Sequence, residues 1–458
     1  MFKIVVLCFF KNNFEQNTHL FTDGKHKFQT NSFKIKMANL HSDFLGISSP
    51  NPFWLASAPP TDKKINVLRA FEAGWGGVVW KTLGPQIRNT SSRYSAVGYA
   101  GKRVMGFNNI ELISDRPLSI NLREIREVLR EFPDRAMVVS LMAENSREAW
   151  HELIKQVEDT GAHGIELNFG CPHGMTERGM GATVGQDPEI ARGIVEWVME
   201  RATIPVITKL TPNVHSVVPA AKAVVAAGTQ GISLINTIQS ITGVDLDTFE
   251  VRPNVGGQSA YGGYCGPAVK PIALKMLHSL TKNPLFRDVP MSGIGGVTTW
   301  QDAAEFILLG AANVQVCTAV MQFGFRIIED LTSGLSNWMD EKGFRTVADV
   351  VGVSVKKVTD WERLDLNFHT IASIDQTKCI HCGLCFITCE DASHQAIDLL
   401  RGQPYNTYTV KDAECVGCNL CQIVCPVDSC ITMVDTRHAD EYLNWTEFQR
   451  RGLPLNDH

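Results

Sequence analysis

The last quarter of the chain carries the pattern that most restricts its fold. Cys379-x-x-Cys382-x-x-Cys385-x-x-x-Cys389 is repeated as Cys415-x-x-Cys418-x-x-Cys421-x-x-x-Cys425, with Pro426 following. Three closely spaced thiolates hold one iron–sulfur cubane, and the fourth of each motif reaches across to the other. The spacing therefore assigns Cys379, Cys382, Cys385 and Cys425 to one 4Fe-4S cluster. Cys415, Cys418, Cys421 and Cys389 take the second. Zinc is the competing reading, since C-x-x-C units also bind it, but zinc needs neither the third C-x-x-C step nor the closing proline. The first motif departs slightly, with Glu390 where a proline is usual. Cys430 lies outside both motifs and reads as packed rather than ligating.

Eight of the 13 cysteines fall in this array. Used as ligands, they point to a reducing compartment, and the expected location is the cytoplasm. A chain of 458 residues can bury a large core and hold two domains. A formal net charge of −5 argues against a nucleic-acid binder, which would show a basic face. With no run of 18 apolar residues, no transmembrane helix is expected.

Residues 1–36 do not read like the rest. The apolar stretch Ile4-Val5-Val6-Leu7-Cys8-Phe9-Phe10 is too short for a convincing signal core, and no small-residue cleavage site follows. Met37-Ala38-Asn39-Leu40 looks like a natural start, so the expectation is that 1–36 is disordered or not made. Mass spectrometry of the native N-terminus decides this; a peptide from 2–25 would refute it.

From Pro52 onwards short apolar runs alternate with segments of helical spacing. The expected strands are 53–58, 77–81, 137–143, 164–168, 205–210, 231–236, 289–292 and 313–317. Small-residue hinges precede several: Ala73-Gly74, Gly161-Ala162, Ala227-Gly228 and Gly310-Ala311. One intervening helix is typical. Asn145 and Glu148 have capping-box spacing, Trp150, Leu153, Ile154 and Val157 share one face, and Gly161 should end it. Eight such units predict an α/β fold, a (β/α)8 TIM barrel over 37–334. A connector over 335–372, a ferredoxin-like domain over 373–434 and a tail over 435–458 follow it. No G-x-G-x-x-G turn follows the first strand, so no nicotinamide site is visible.

Barrel chemistry sits at the C-terminal ends of the strands. Those ends carry Ser57 and Ala58, Lys81 and Thr82, Glu144 and Asn145, Asn168 and Cys171, Lys209 and Thr211, Asn236 and Thr237, Gly295 and Gly296, and Thr318. Lys81 and Lys209 close apolar runs and call for an anionic partner. Gly295-Gly296 and Thr318 stand where barrels commonly hold a phosphate; that of FMN fits, with Lys209 suited to the negative charge on reduced flavin. Cys171, in Asn168-Phe169-Gly170-Cys171-Pro172-His173-Gly174-Met175, is a candidate acid or nucleophile at a strand end, although a lone cysteine is as readily a structural thiol. Cys265 and Cys317 read as barrel thiols.

These residues resemble a known family. Ala73-Gly74-Trp75-Gly76, Asn109-Ile110-Glu111-Leu112-Ile113-Ser114, Cys171-Pro172-His173-Gly174-Met175, Lys209-Leu210-Thr211-Pro212-Asn213, Asn236-Thr237 and both cysteine motifs are similar to those of dihydropyrimidine dehydrogenases. The likeness is to the catalytic subunit of the bacterial NAD-dependent enzyme and to the C-terminal portion of the animal one. It implies reduction of uracil or thymine at C5–C6, with hydride from reduced FMN to C6 and a proton from Cys171 to C5. It further implies that Asn109, Asn168, Asn236 and Thr237 bind the pyrimidine. Lys81, Lys209, Gly266, Gly295 and Gly296 match the flavin site, which Ser57, Ala58, Thr82 and Thr318 adjoin. An ordinary thiol with pKa near about 8.5 is mostly protonated at neutral pH, as an acid must be. A carboxamide offers a donor and an acceptor at the spacing of a uracil edge.

One departure stands out: a serine precedes the catalytic cysteine in the animal enzyme, and here it is Gly170. The resemblance also implies a separate FAD- and NAD(H)-binding electron-donor subunit, in a heterotetramer, with the clusters as relay. The glycines from Gly174 to Gly185 read as hinges of a loop closing over substrate. Two alternatives remain: a dihydroorotate dehydrogenase-type FMN oxidoreductase, whose substrate carboxylate would require a nearby cation, and a ferredoxin-like carrier with no substrate chemistry of its own.

Overall fold

The computed structural model describes residues 38–99, 102–171, 180–436 and 441–454. The expectations for residues 1–36 and for Gly174 and Gly179 lie outside the described residues.

Eight parallel strands close a barrel. They are β1 (Phe53–Leu55), β2 (Gly77–Leu83), β3 (Ala136–Leu141), β4 (Gly164–Asn168), β5 (Val206–Lys209), β6 (Gly231–Leu234), β7 (Met291–Ile294) and β8 (Ala311–Val316). Pairing runs in chain order, and β8 returns to β1 with Val314 opposite Phe53. Each strand lies where an apolar run predicted it. The limits differ where proline intervenes: β7 starts at Met291 because Pro290 has no N–H, and Pro59-Pro60 turn the chain soon after β1. Gly74 ends its helix at φ 113°, the left-handed cap that the hinge reading required. The helix Arg147–Glu158 buries Trp150, Leu153, Ile154 and Val157 as expected, but its cap is Ser146, one residue later than Asn145. The Ser146 hydroxyl accepts the Ala149 N–H at 3.3 Å.

The lower end of the barrel is stopped. An antiparallel hairpin, Ser42–Phe44 with Ile47–Ser49, packs Phe44 and Ile47 on the inward residues Trp54, Val79, Val138 and Ile207. Phe44 meets Trp54 edge to face at 5.8 Å, and the Trp54 indole donates to the Ser49 hydroxyl at 3.1 Å. Burying a Phe-sized side chain stabilises by about 2 kcal/mol. Gly164 and Gly231 make room: an added Cβ would stand 2.9 Å from Ile47 Cδ1 and 2.8 Å from Leu45 Cδ1, respectively.

At the opposite end lies a roof the sequence reading missed. Tyr94–Tyr99, Lys102–Asn109, Gly262–Cys265 and Ile238–Ser240 form a four-stranded antiparallel sheet. Two separate excursions of the chain, after β2 and after β6, supply it.

The cysteine-rich segment is built from two hairpin-like pairs, β9 (Thr370–Ile374) with β12 (Ile431–Asp435) and β10 (Ile397–Leu400) with β11 (Thr407–Val410). A short helix begins one residue before the third cysteine of each repeat. Glu390 in place of proline lets the first run on as Leu384–Ala392, whereas the second, Leu420–Val424, stops before Pro426. Helix Ile327–Lys342 runs unbroken across residue 334. The tail folds back on the connector, with Trp445 packed on Trp361 at 5.8 Å. No helix among the described residues is long and apolar enough to cross a membrane.

Candidate active site

A cleft of about 1120 Å³, counted out to its mouth, opens at the C-terminal ends of the strands beneath the roof. Ser57, Ala58, Lys81, Thr82, Asn109, Asn168, Cys171, Lys209, Asn236, Thr237, Gly266, Gly295, Gly296 and Thr318 all line it. Glu144, Asn145 and Thr211, also at strand ends, do not. Lys81 and Thr82 are adjacent in sequence yet both reach the cleft, because pairing of β2 with β3 slips between Trp80 and Leu83. Such a bulge turns two successive side chains toward the same space.

Hydroxyls and amides form one chain across the ends of five strands. Ser57 Oγ meets Thr82 Oγ1 at 3.1 Å, and Thr82 meets the Ser140 hydroxyl at 2.9 Å. The Asn168 amide donates to Thr82 Oγ1 at 2.9 Å, and the Asn236 amide donates to Asn168 Oδ1 at 3.0 Å. Asn236 Oδ1 in turn accepts the Thr237 N–H at 2.8 Å. Each carboxamide is thereby oriented, which a recognition surface requires. Asn109 enters from the roof, its amide reaching the Gly263 carbonyl at 3.4 Å.

Both lysines are buried, and each has a carboxylate partner within the chain. Lys81 Nζ lies 2.5 Å from Glu111, which also faces Arg93 at 3.5 Å and accepts from the Tyr94 hydroxyl. Burial, with the bond to Glu111, pushes the Tyr94 phenol up. Lys209 Nζ lies 3.6 Å from Glu166, which is fully enclosed. The anionic partner that the sequence demanded of a ligand is therefore supplied by the protein itself. Glu166, sitting in the run Gly164-Ile165-Glu166-Leu167, was legible as a charge out of place; Glu111 carried no such signal.

One side of the cleft is a backbone cradle. Gly266, Gly295 and Gly296 have φ of 111°, 127° and 82°. A Cβ on Gly296 would stand 2.9 Å from the Gly266 carbonyl oxygen, and one on Gly266 3.4 Å from Thr318 Cγ2. The three glycines and Thr318 thus converge where any side chain would fill the space. A phosphate approached by bare backbone N–H groups needs such a surface, so the residues fit FMN.

Cys171 is buried against Ile113, Met142 and Met180 and faces the cleft. Its carbonyl accepts the Ala182 N–H at 2.9 Å. Of the glycines read as hinges, Gly185 is a packing residue: a Cβ there would stand 1.9 Å from the Phe169 carbonyl oxygen. Cys265 and Cys317, read as barrel thiols, line the same cleft, as do Phe107, Tyr264 and Gln315. Burial pushes both thiols up, which keeps them neutral.

The eight array cysteines ring two cavities. Cys379, Cys382, Cys385 and Cys425 surround one, and Cys389, Cys415, Cys418 and Cys421 the other. Both loops need left-handed backbone at matched positions, His381 and Gly417, then Gly383 and Asn419. Backbone N–H groups turn toward the sulfurs, with His381 donating to Cys379 at 3.4 Å and Ala396 to Cys389 at 3.3 Å. Among the described residues, no three His, Cys, Asp or Glu side chains are disposed to hold a single ion. Cys430 is buried and bonded to the Asp375 carbonyl at 3.6 Å, but it borders the first cavity.

A closed barrel with a flavin-type cradle and a thiolate-rich tail defines an iron–sulfur flavoprotein oxidoreductase. Residues 39–339 match the dihydroorotate dehydrogenase family, and residues 372–433 a 4Fe-4S dicluster domain. The NAD-dependent dihydropyrimidine dehydrogenase subunit PreA of Escherichia coli K12 is 41% identical over 361 residues, 79% of this chain and 87% of that one. The chloroplastic dihydropyrimidine dehydrogenase (NADP(+)) of Arabidopsis thaliana is 41% identical over 350 residues, 74% and 82% of the two chains. A dihydroorotate dehydrogenase structure from Eimeria tenella, in complex with ferulenol, shares the fold at TM-score 0.56 and 17% identity, over 69% of this chain and 88% of that one. The chain belongs to the dihydropyrimidine dehydrogenase branch of this family and is an FMN oxidoreductase with a 4Fe-4S domain.

Proposed function

We propose that the protein reduces the C5–C6 double bond of uracil or thymine in the cytoplasm, as the catalytic subunit of a heterotetramer. A partner subunit that binds FAD and oxidises NADH supplies electrons, and two 4Fe-4S clusters relay them. Bound FMN would supply hydride to C6. Cys171 donates the proton to C5, and Asn109, Asn168, Asn236 and Thr237 hold the ring. Lys81, Lys209, Ser57, Ala58, Thr82, Gly266, Gly295, Gly296 and Thr318 hold the flavin. PreA is named as a subunit, which supports a partner.

The observation that carries the substrate assignment is the charge balance of the cleft. Its two lysines are matched by Glu111 and Glu166, beside a chain of oriented amides. A neutral pyrimidine edge suits such a surface; orotate would bring a carboxylate without a cation to receive it. The test is turnover of uracil, thymine and orotate by the purified protein with a chemical reductant. Reduction of uracil or thymine is expected, and turnover of orotate alone overturns the proposal.

A further inference from the structure

Glu166 lies below the floor of the cleft, on the inward face of β4, with no exposure to solvent. Its Oε2 accepts from the Ser233 hydroxyl at 2.8 Å and from Gln315 Nε2 at 3.3 Å. Its Oε1 has no hydrogen-bond partner and faces Lys209 Nζ at 3.6 Å. Of the three groups it reaches, Lys209 and Gln315 line the cleft. A full carboxylate in a dry interior is costly unless it is paired and hydrogen-bonded, and these are the partners that meet the cost.

We propose that Glu166 is a positioning residue that sets the charge and the amide orientation of the flavin floor through Lys209 and Gln315. A carboxylate only accepts, so Gln315 must present Nε2 to it. The same Nε2 donates to the Ser292 hydroxyl at 2.9 Å, leaving Oε1 as the free end of the carboxamide. The ammonium of Lys209 is likewise held toward Glu166, so the pair presents almost no net charge to a ligand above it. Reduced flavin is more negative than oxidised flavin, and a cation near the ring favours the reduced form. Glu166 therefore offsets Lys209 and keeps the flavin harder to reduce than the lysine alone would make it.

The inference rests on FMN occupying the cleft, and its test reads the flavin directly. The midpoint potential is measured by spectroelectrochemical titration of the holoenzyme, without substrate, for the wild type, Glu166→Gln and Glu166→Asp. Glu166→Gln should shift the midpoint to a more positive value. Glu166→Asp, which keeps the charge but retracts it, should shift it less in the same direction. A structural role alone would lower FMN occupancy or stability and leave the midpoint of the bound flavin in place; an unchanged or more negative midpoint in Glu166→Gln overturns the proposal. If Glu166→Gln does not retain FMN, Glu166→Asp decides by the same criterion. A wild-type chain purified without flavin would instead defeat the cofactor reading on which the inference stands.

Discussion

Asn236 occupies the space that a side chain on Gly170 would need: a Cβ at 170 would stand 2.5 Å from Asn236 Cβ and 2.6 Å from its amide nitrogen. The glycine before Cys171 and the placement of Asn236 are therefore one arrangement. Gly170→Ala and Gly170→Ser should push Asn236 out of its bond to Asn168. Displacing a positioning group by an ångström can cost up to roughly a hundredfold in rate. We expect kcat/KM for uracil to fall by about tenfold or more, mainly through KM, with serine no better than alanine. A serine variant with wild-type KM would show that Asn236 moves aside freely.

Cys171→Ala should lower pyrimidine reduction by roughly 10²–10⁴-fold, the usual loss on removing a proton donor. Flavin and cluster absorbance should persist, because neither the glycine cradle nor the array cavities include this thiol. Steady-state rates beside the visible spectrum check both halves; unchanged turnover ends the acid assignment.

The two cavities predict crossed ligation. Cys425→Ser should lower iron from roughly eight to roughly four atoms per chain, and remove the same EPR signal as Cys379→Ser. Cys389→Ser should instead match Cys415→Ser. If Cys425→Ser matches Cys415→Ser, each motif holds its own cluster.

His163 accepts the Met137 N–H at Nδ1, 3.0 Å away, and burial holds its imidazole below the usual value. The unfolded chain takes up this proton near about pH 6.5, before the folded one does. Its stabilising contribution is therefore complete above that pH and is lost as pH falls through the lower folded value. Urea midpoints between pH 8 and 5 should decline less for His163→Asn, whose amide oxygen can accept the same N–H without titrating. Equal declines would remove His163 from the account.

The barrel was legible because each strand is an apolar run, and the helices between them end at small-residue hinges such as Gly74 and Gly310. The two rings of cysteines were legible because their spacing is local. Fourteen cleft residues could be named from strand ends and resemblance, but their pairing could not. Lys209 meets Glu166 only because β4 and β5 pair with Asn168 opposite Lys209. Lys81 meets Glu111 across thirty positions of sequence. The roof escaped notice because its strands interrupt a helical reading; the alternation in Tyr94-Ser95-Ala96-Val97 was its one local sign. The shift of a helix cap from Asn145 to Ser146 has a simpler cause, as both residues can cap and only backbone geometry chooses between them.

The hairpin that seats Phe44 against Trp54 stops the lower end of the barrel, and among the described residues the cleft opens at the other end. A well closed at the bottom imposes an order of loading: whatever rests on its floor must arrive before, and leave after, anything lodged beneath the roof. A group bound on that floor would be held for as long as a second ligand filled the cleft above it, so a saturating second ligand should slow its escape without touching its affinity contacts.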